Sequence, residues 1–367
     1  MPGSQDLSTN HNSQYDVRVM TRTGDRKAAG KDHASRAASI HDVASAARVS
    51  IATVSRVMNS PHLVSAKTAA RVQEVIRQIG YAPNPFAQGL ITRSSRVLGI
   101  ALPDIHGEFY SELLRGADEE AGKLGYHLLV SSESRVRGEG APPLGFGLVD
   151  GVAVMIADAN NALSREARES SLPVVVLDTD LHERGVDSVV VDNAGGTRQA
   201  VLHLLETAPA GQLFFVGGPS ENFDSLARAK AFRETLAAAG HEARADQVAF
   251  GEYTAEWGET WAKSRLPSVR GTLGVLAGND EIAIGILRAA EDQGIAVPSR
   301  LRLVGFDDTR LASLIRPRLS SVRVPMAEVG AASIRLLVRR LDDREASIEC
   351  VRLPTSLIIR ESSAAKP

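Results

Sequence analysis

Ser39-Ile40-His41-Asp42-Val43-Ala44-Ser45-Ala46-Ala47-Arg48-Val49-Ser50-Ile51-Ala52-Thr53-Val54-Ser55-Arg56-Val57-Met58-Asn59 spells two short helices joined by a tight turn. Ser39 is placed to cap the first helix, and Asp42 three residues on completes a capping-box pattern. Ile40, Val43, Ala44 and Ala47 share one helical face. Ser50 is placed to cap the second helix. There Val54, Val57 and Met58 turn toward the first helix, whereas Ile51, Ala52, Ser55 and Arg56 point elsewhere. A helix this short does not hold itself together in water. Packing must carry it, and its outward face is then free for other work. Two helices so arranged make a helix-turn-helix, whose second helix enters the major groove of DNA.

On the C-terminal side, a loop with Pro61 leads to Ser65, which caps a third helix predicted over 66–79 with Ala69, Val72, Val75, Ile76 and Ile79 on one face and Gly80 as its stop. The run Tyr81-Ala82-Pro83-Asn84-Pro85-Phe86-Ala87-Gln88-Gly89-Leu90 reads as a linker in which Asn84 and Pro85 suit a helix N-cap and first turn. On the N-terminal side, residues 1–38 have almost no apolar pattern and read as a disordered tail.

The full chain of 367 residues has room for two or three folding units. It lacks any run of about 18 apolar residues, so no membrane span is expected. The polar N-terminal stretch lacks the apolar core of a signal peptide. The single Cys350 forms no internal disulfide and no multi-cysteine zinc site. Together these point to the cytoplasm. The net charge of −2 hides an asymmetry: residues 1–96 carry 13 Lys/Arg against 6 Asp/Glu, a surplus of +7, and the rest of the chain is at −9. A basic head on an acidic body fits a phosphate-seeking module joined to something that does not touch nucleic acid.

From Arg96 onward, short apolar strands alternate with helical stripes as far as the strand at 301–305. That pattern means parallel sheets covered on both faces, and there is enough of it for two α/β lobes. Ligands in such sheets bind beyond the carboxyl ends of the strands. Asp104, Phe109 and Tyr110 follow the first strand, Asp178 follows Val174–Leu177, and Asn279-Asp280 follow Val275–Ala277. Arg228 lies near a helix start, and Tyr253 follows a strand. No glycine-rich phosphate loop, nucleophile elbow or His-Glu-x-x-His is present, and the nine histidines show no ligand spacing, so neither an enzyme nor a cofactor or metal site is expected.

Ile40-His41-Asp42-Val43-Ala44 and the run Val49 to Asn59 resemble the head of LacI/GalR-type transcriptional repressors, at polar positions as well as apolar ones. Val304-Gly305-Phe306-Asp307-Asp308 and Leu353-Pro354-Thr355-Ser356-Leu357, with Arg360 and Ser362, look like that family's closing motifs, so the resemblance spans residues 39–362. It implies a helix-turn-helix DNA-binding domain over 39–83, a hinge helix in 84–95, and a periplasmic-binding-protein-like body over 96–362 made of doubly wound parallel sheets. The first lobe would take 96–192 and 309–340, and the second 193–308 and 345–362, with chain crossings near 192, 308 and 323–350. By the same resemblance Leu90 wedges into the minor groove of operator DNA, and Arg228, Tyr253 and Asp280 line an effector cleft, holding polar groups of a sugar or nucleobase. The plainer alternatives are a tether with Leu90 packed on the body, a surface ion pair for Arg228, a core ring for Tyr253 and a helix cap for Asp280. Asp307 and Asp308 read as turn residues.

Three places depart from the family pattern. Arg48 stands where a turn glycine is usual, and Glu108 where proline is usual. Arg137 to Gly147 is too rich in glycine and proline for the expected helix, so a loop or short broken helix is predicted there. The whole reading is a ligand-responsive transcriptional repressor, a homodimer on a pseudo-palindromic operator. Ile51, Ala52 and Arg56 would face bases, with Ser50, Thr53 and Ser55 on phosphates and Asn59 completing the DNA-facing set. No leucine zipper follows residue 362, which favours a dimer over a tetramer. The alternatives are a solute-binding protein of the same two-lobe fold, or a regulator responding to a nucleobase or nucleoside.

Overall fold

The structure, a computed structural model, describes residues 38–81, 94–103, 105–132, 148–156, 172–268 and 271–364. The expectations for the N-terminal tail, for Asn84 and Leu90 in the linker, for Asp104 and for the stretch 137–147 lie outside the described residues. The chain divides into two compact units, a head ending at Pro83 and a body beginning at Asn84.

In the head, α1 (Ile40–Ala47), α2 (Ile51–Asn59) and α3 (Ala66–Ile79) enclose one small core of Val43, Ala44, Ala47, Val54, Val57 and Val72. Each helix is started by its serine. Ser39 and Asp42 form the capping box, Ser50 Oγ accepts from the Thr53 amide at 3.1 Å, and Ser65 Oγ from the Thr68 amide at 3.3 Å. Arg48 ends α1 in the left-handed region, at φ 51° and ψ 51°. An L-residue there costs on the order of 1 kcal/mol relative to glycine.

The body holds two six-stranded sheets. The first runs β11-β5-β4-β3-β1-β2, built from β1 (Val97–Leu102), β2 (His127–Ser132), β3 (Gly151–Met155), β4 (Val174–Leu177), β5 (Asp187–Val191) and β11 (Cys350–Leu353), with every pairing parallel. The second runs β12-β10-β9-β8-β6-β7, from β6 (Leu213–Gly217), β7 (Val248–Phe250), β8 (Leu273–Ala277), β9 (Leu301–Asp307), β10 (Ser320–Arg323) and β12 (Ser356–Ile358). Here β12 departs from the expected parallel pattern, running antiparallel to β10 as an edge strand. Among the described residues the body's helices are α4 (Gly107–Lys123), α5 (Asn193–Leu205), α6 (Phe223–Ala238), α7 (Ala255–Arg265), α8 (Asp280–Asp292), α9 (Arg310–Leu314) and α10 (Met326–Asp342). None among the described residues is long and apolar enough to cross a membrane.

The expected lobe boundaries need correction. Residues 309–323 stay with the second lobe, because β10 pairs with β9 in the register Ser320↔Val304 and Val322↔Phe306. Residues 350–353 belong to the first, where Cys350 pairs with Ser188 and Leu353 with Val191. The crossings therefore fall near 192, 324–325 and 354–355, not at 308. Ser320 and Ser321 of β10 are fully buried. Inside the lobe their hydroxyls are satisfied: Ser320 Oγ accepts from the Arg360 amide at 2.7 Å, and Ser321 Oγ donates to Asp280 at 2.6 Å. In the first lobe, Arg340 donates from Nε and Nη2 to the buried Asp187, whose other oxygen accepts from the Glu349 amide, so α10, β5 and the approach to β11 are tied together.

Close approach, not backbone freedom, explains two glycines. A Cβ on Gly330 of α10 would collide with the backbone carbonyl of Leu113 on α4, and a Cβ on Gly116 with that of Ala327. Gly330→Ala is expected to cost at least about 1–3 kcal/mol, as overpacking of a close-packed contact does. A melting temperature lowered by several degrees would show it, and an unchanged one would mean the two helices separate freely.

Candidate functional site

Strand ends from both lobes border a cleft of about 320 Å³. The first lobe contributes Asp178 after β4 and Phe109 and Tyr110 at the start of α4; the second contributes Asn222, Asp224 and Arg228 of the α6 region, Tyr253 after β7, Asn279 and Asp280 at the start of α8, Asp307 at the end of β9 and Thr309 beyond it. The cleft thus brings together Arg228, Tyr253, Asp280, Phe109, Tyr110 and Asp178.

Arg228 is 3% exposed. Its Nε donates to Asn193 Oδ1 at 2.7 Å, Nη1 to the Gly278 carbonyl at 2.6 Å and Nη2 to Asp224 Oδ2 at 3.0 Å. Its planar face lies over the Phe306 ring, 3.8 Å from the centroid. Asn193 Nδ2 donates in turn to Asp224 Oδ1 at 2.8 Å. The guanidinium is therefore locked, not a surface ion pair, and both oxygens of Asp224 have donors. The Tyr253 hydroxyl donates to Asn222 Oδ1 at 3.1 Å and lies 2.8 Å from Ser225 Oγ, while burial pushes its phenol above the ordinary range.

Asp280 does not cap α8; Asn279 does, its Oδ1 accepting from the Ile282 amide at 2.9 Å. Asp280 Oδ2 accepts from the Thr309 amide and hydroxyl at 2.7 and 2.9 Å, and Oδ1 from Ser321 at 2.6 Å. Burial pushes its carboxyl up to about 7 against those three donors. The unfolded value is about 3.9. A raised carboxyl contributes stability that is fully present below the unfolded value and lost as pH rises through the folded one. Asn at 280 can still accept from Thr309 and donate to Ser321. Asp280→Asn should therefore lose less melting temperature than the wild type between pH 4 and 7, and parallel curves would refute the assignment.

Asp178 and Asp307 differ from the other acids. Asp178 follows β4 at φ 67° and Asp307 ends β9 at φ 103°, backbone regions in which non-glycine residues are strained. Neither carboxylate accepts a hydrogen bond among the described residues. Desolvation holds both well above the usual carboxylate range; Asp224 adds to this at Asp178, Asp280 and Asp224 add to it at Asp307, and Arg228 opposes it at both. The two acids, one from each lobe, thus present open acceptors in the cleft. Asn193, Asn222, Asp224 and Thr309 were not singled out in the sequence, and Asp307 was read as a turn residue. Asn222 carried a usable signal, since it caps α6. At the cleft rim, Glu108 of α4 accepts from the Arg310 amide of α9, joining the two lobes across the mouth.

In the head, Ile51 is 40% exposed, and Ser50, Ala52, Arg56 and Asn59 are exposed beside it. Thr53 and Ser55 are half-buried; the hydroxyls of Ser50 and Thr53 bond each other at 2.9 Å, and Asn59 Nδ2 donates to Ser55 at 3.3 Å. No acidic residue stands in the first turn of α2.

Comparison with known proteins agrees with this geometry. Residues 39–84 match the model of bacterial regulatory proteins of the lacI family, and residues 203–363 the periplasmic binding protein-like domain. Catabolite control protein A of Priestia megaterium is 31% identical over 327 residues, covering 88% of this chain and 98% of that protein. The Lac repressor dimer bound to operator and the anti-inducer ONPF superposes with a TM-score of 0.80 at 26% identity, covering 90% of this chain and 100% of that one. The complex of the transcriptional regulator CelR with cellobiose gives a TM-score of 0.67 at 28% identity, over 89% of this chain and 100% of that one. The chain belongs to the LacI family of bacterial DNA-binding transcription regulators and is not an enzyme.

Proposed function

We propose that the protein is a cytoplasmic repressor that binds a pseudo-palindromic operator as a homodimer and is controlled by an uncharged, hydroxyl-rich ligand, a sugar, in the cleft. The observation that carries the ligand class is the pair Asp178 and Asp307: carboxylates that line the cleft and accept no hydrogen bond among the described residues, placed beside a guanidinium that is already engaged. Sugar hydroxyls supply donors, and aromatic edges such as Phe109 and Tyr110, whose rings meet at 5.2 Å and 89°, cover apolar C–H faces. Arg228, the one arginine of the lining, already gives Nε, Nη1 and Nη2 to protein acceptors and so offers no open fork to a phosphate, which disfavours phosphorylated sugars. Arg228, Tyr253 and Asp280 would shape this pocket, holding its polar wall in place. A cellobiose complex of CelR is the relative that supports the class.

On the DNA side, Ile51, Ala52 and Arg56 would read bases, Ser50, Thr53 and Ser55 would hold phosphates, and Asn59 would complete the contact. The linker, with Asn84 capping and Leu90 wedging, would couple the cleft to DNA affinity as ligand shifts an existing equilibrium between lobe arrangements. Gel-shift titration against the DNA upstream of the protein's own gene, with and without cellobiose and smaller sugars, tests both halves. A sugar at 100 times its Kd stabilises the body by about 2.7 kcal/mol. Sugars that raise the melting temperature should also change operator affinity, and sugar phosphates should do neither. Stabilisation by nucleosides alone would overturn the ligand class, and indifference to every DNA segment would overturn the operator.

A further inference from the structure

We propose that Asp180, His182 and Cys350 form a binding site for one divalent cation of borderline softness, such as Zn2+, on the first lobe. The turn after β4 carries Asp180 and His182, and Cys350 opens β11 at the sheet edge. Sequence spacing could not reveal the trio, because the residues meet only through the pairing of β11 with β5. Among the described residues it is the one group of three His, Cys or acidic side chains whose ligand atoms all lie within 4.8 Å of one another.

The donors are an imidazole nitrogen, a thiol sulfur and a carboxylate oxygen, a set that zinc accepts at about 2.0–2.3 Å. Donors on arms of that length sit about 3.3–3.8 Å apart, so closure needs a movement of about 1 Å. The side chains of Asp180 and His182 are 34% and 46% exposed and free to make it. His182 Nδ1 already lies 2.7 Å from Asp180 Oδ1, the separation of a shared proton that a cation would replace. The Cys350 thiol lies beside the same carboxylate, and burial with that neighbour pushes it up to about 11. A metal ion reverses that preference, taking the thiolate and releasing its proton, so affinity rises with pH. Three protein ligands leave the fourth position to water. Solvent reaches the site through the exposed His182, and Asp180 also lines a cleft of about 290 Å³ with Asp178 and Arg352. Arg352 opposes the cation, its Nη2 lying 3.4 Å from Asp180 Oδ2. The plainer role for these contacts is a turn held by Asp180, which accepts from the His182 amide at 3.2 Å. That role accounts for Asp180 and His182 but not for the thiol.

The test uses the full-length chain, reduced with a phosphine, and Co2+ as the probe. One equivalent should bind with a thiolate-to-cobalt charge-transfer absorption, which Zn2+ should abolish by displacement. Cys350→Ser should eliminate the band. His182→Ala should weaken Co2+ binding by at least about tenfold, since even outer-shell partners of metal ligands are worth 10–100-fold. Arg352→Met should tighten binding, a gain that a misfolded variant does not give. Zn2+ should raise the melting temperature of the wild type but not of Cys350→Ser. A missing charge-transfer band, or a band and affinity indifferent to His182→Ala, would overturn the site.

Discussion

Arg228→Met is expected to destabilise the body by about 3–5 kcal/mol, the scale of leaving a buried ion cluster without its countercharge. The guanidinium holds Asp224 directly, and its charge lowers the carboxyls of Asp178 and Asp307. Without it those carboxyls rise further, and the folded state holds their protons to higher pH. Stability tied to a raised carboxyl is lost as pH rises. The deficit of the variant should therefore grow as pH rises. Arg228→Lys should recover part of the loss, keeping the charge but not the fork to Asn193 and Asp224 or the stack on Phe306. Denaturant unfolding followed by tryptophan fluorescence reads the right unit, since the protein's two tryptophans, Trp257 and Trp261, lie in α7 of the body. A deficit independent of pH would mean that Arg228 contributes by packing alone.

What the sequence disclosed was local. Ser39, Ser50 and Ser65 announce helix starts because a cap is a contact over three residues, and apolar runs such as Val174–Leu177 announce strands because burial on both faces leaves no polar position. Tyr253 and Asp280 follow strands and Arg228 lies near a helix start, but it is the resemblance to LacI/GalR-type repressors, not topology alone, that put all three at the cleft they line. What stayed hidden was set by distant partners. Ser320 and Ser321 read as polar until the residues that satisfy them, Arg360 and Asp280, are brought alongside. The lobe crossings moved for the same reason, as strand pairing and not composition assigns β10 and β11. Gly116 and Gly330 are ordinary helix residues until each meets the other helix's backbone. Asp307 looked like a turn residue, and it does end a strand at positive φ; its lack of a donor appears only in three dimensions.

Arg56→Ala is expected to reduce operator affinity far more than affinity for random DNA. Within α2, Val54 and Val57 are buried in the head core while Arg56 is exposed on the opposite side with Ile51 and Ala52. Alanine is at least as good a helix former, so the head should stay folded and the loss should report a contact. Ile51 and Ala52 have no side-chain donors and can touch thymine methyls only. Arg56 is then the residue on this face able to make a bidentate bond to guanine, worth about 1–3 kcal/mol of discrimination per half-site and about twice that for a dimer on two half-sites. The phosphate role would then fall to the start of α2, where Ser50 caps a first turn free of acidic residues, a helix end of the kind that attracts anions. A phosphate contact by Arg56 would weaken all sequences alike and lower the salt dependence by about one unit of slope. Anisotropy titrations of operator and scrambled DNA at several salt concentrations separate the two: loss confined to the operator keeps Arg56 on a base edge, and equal losses on both move it to the backbone.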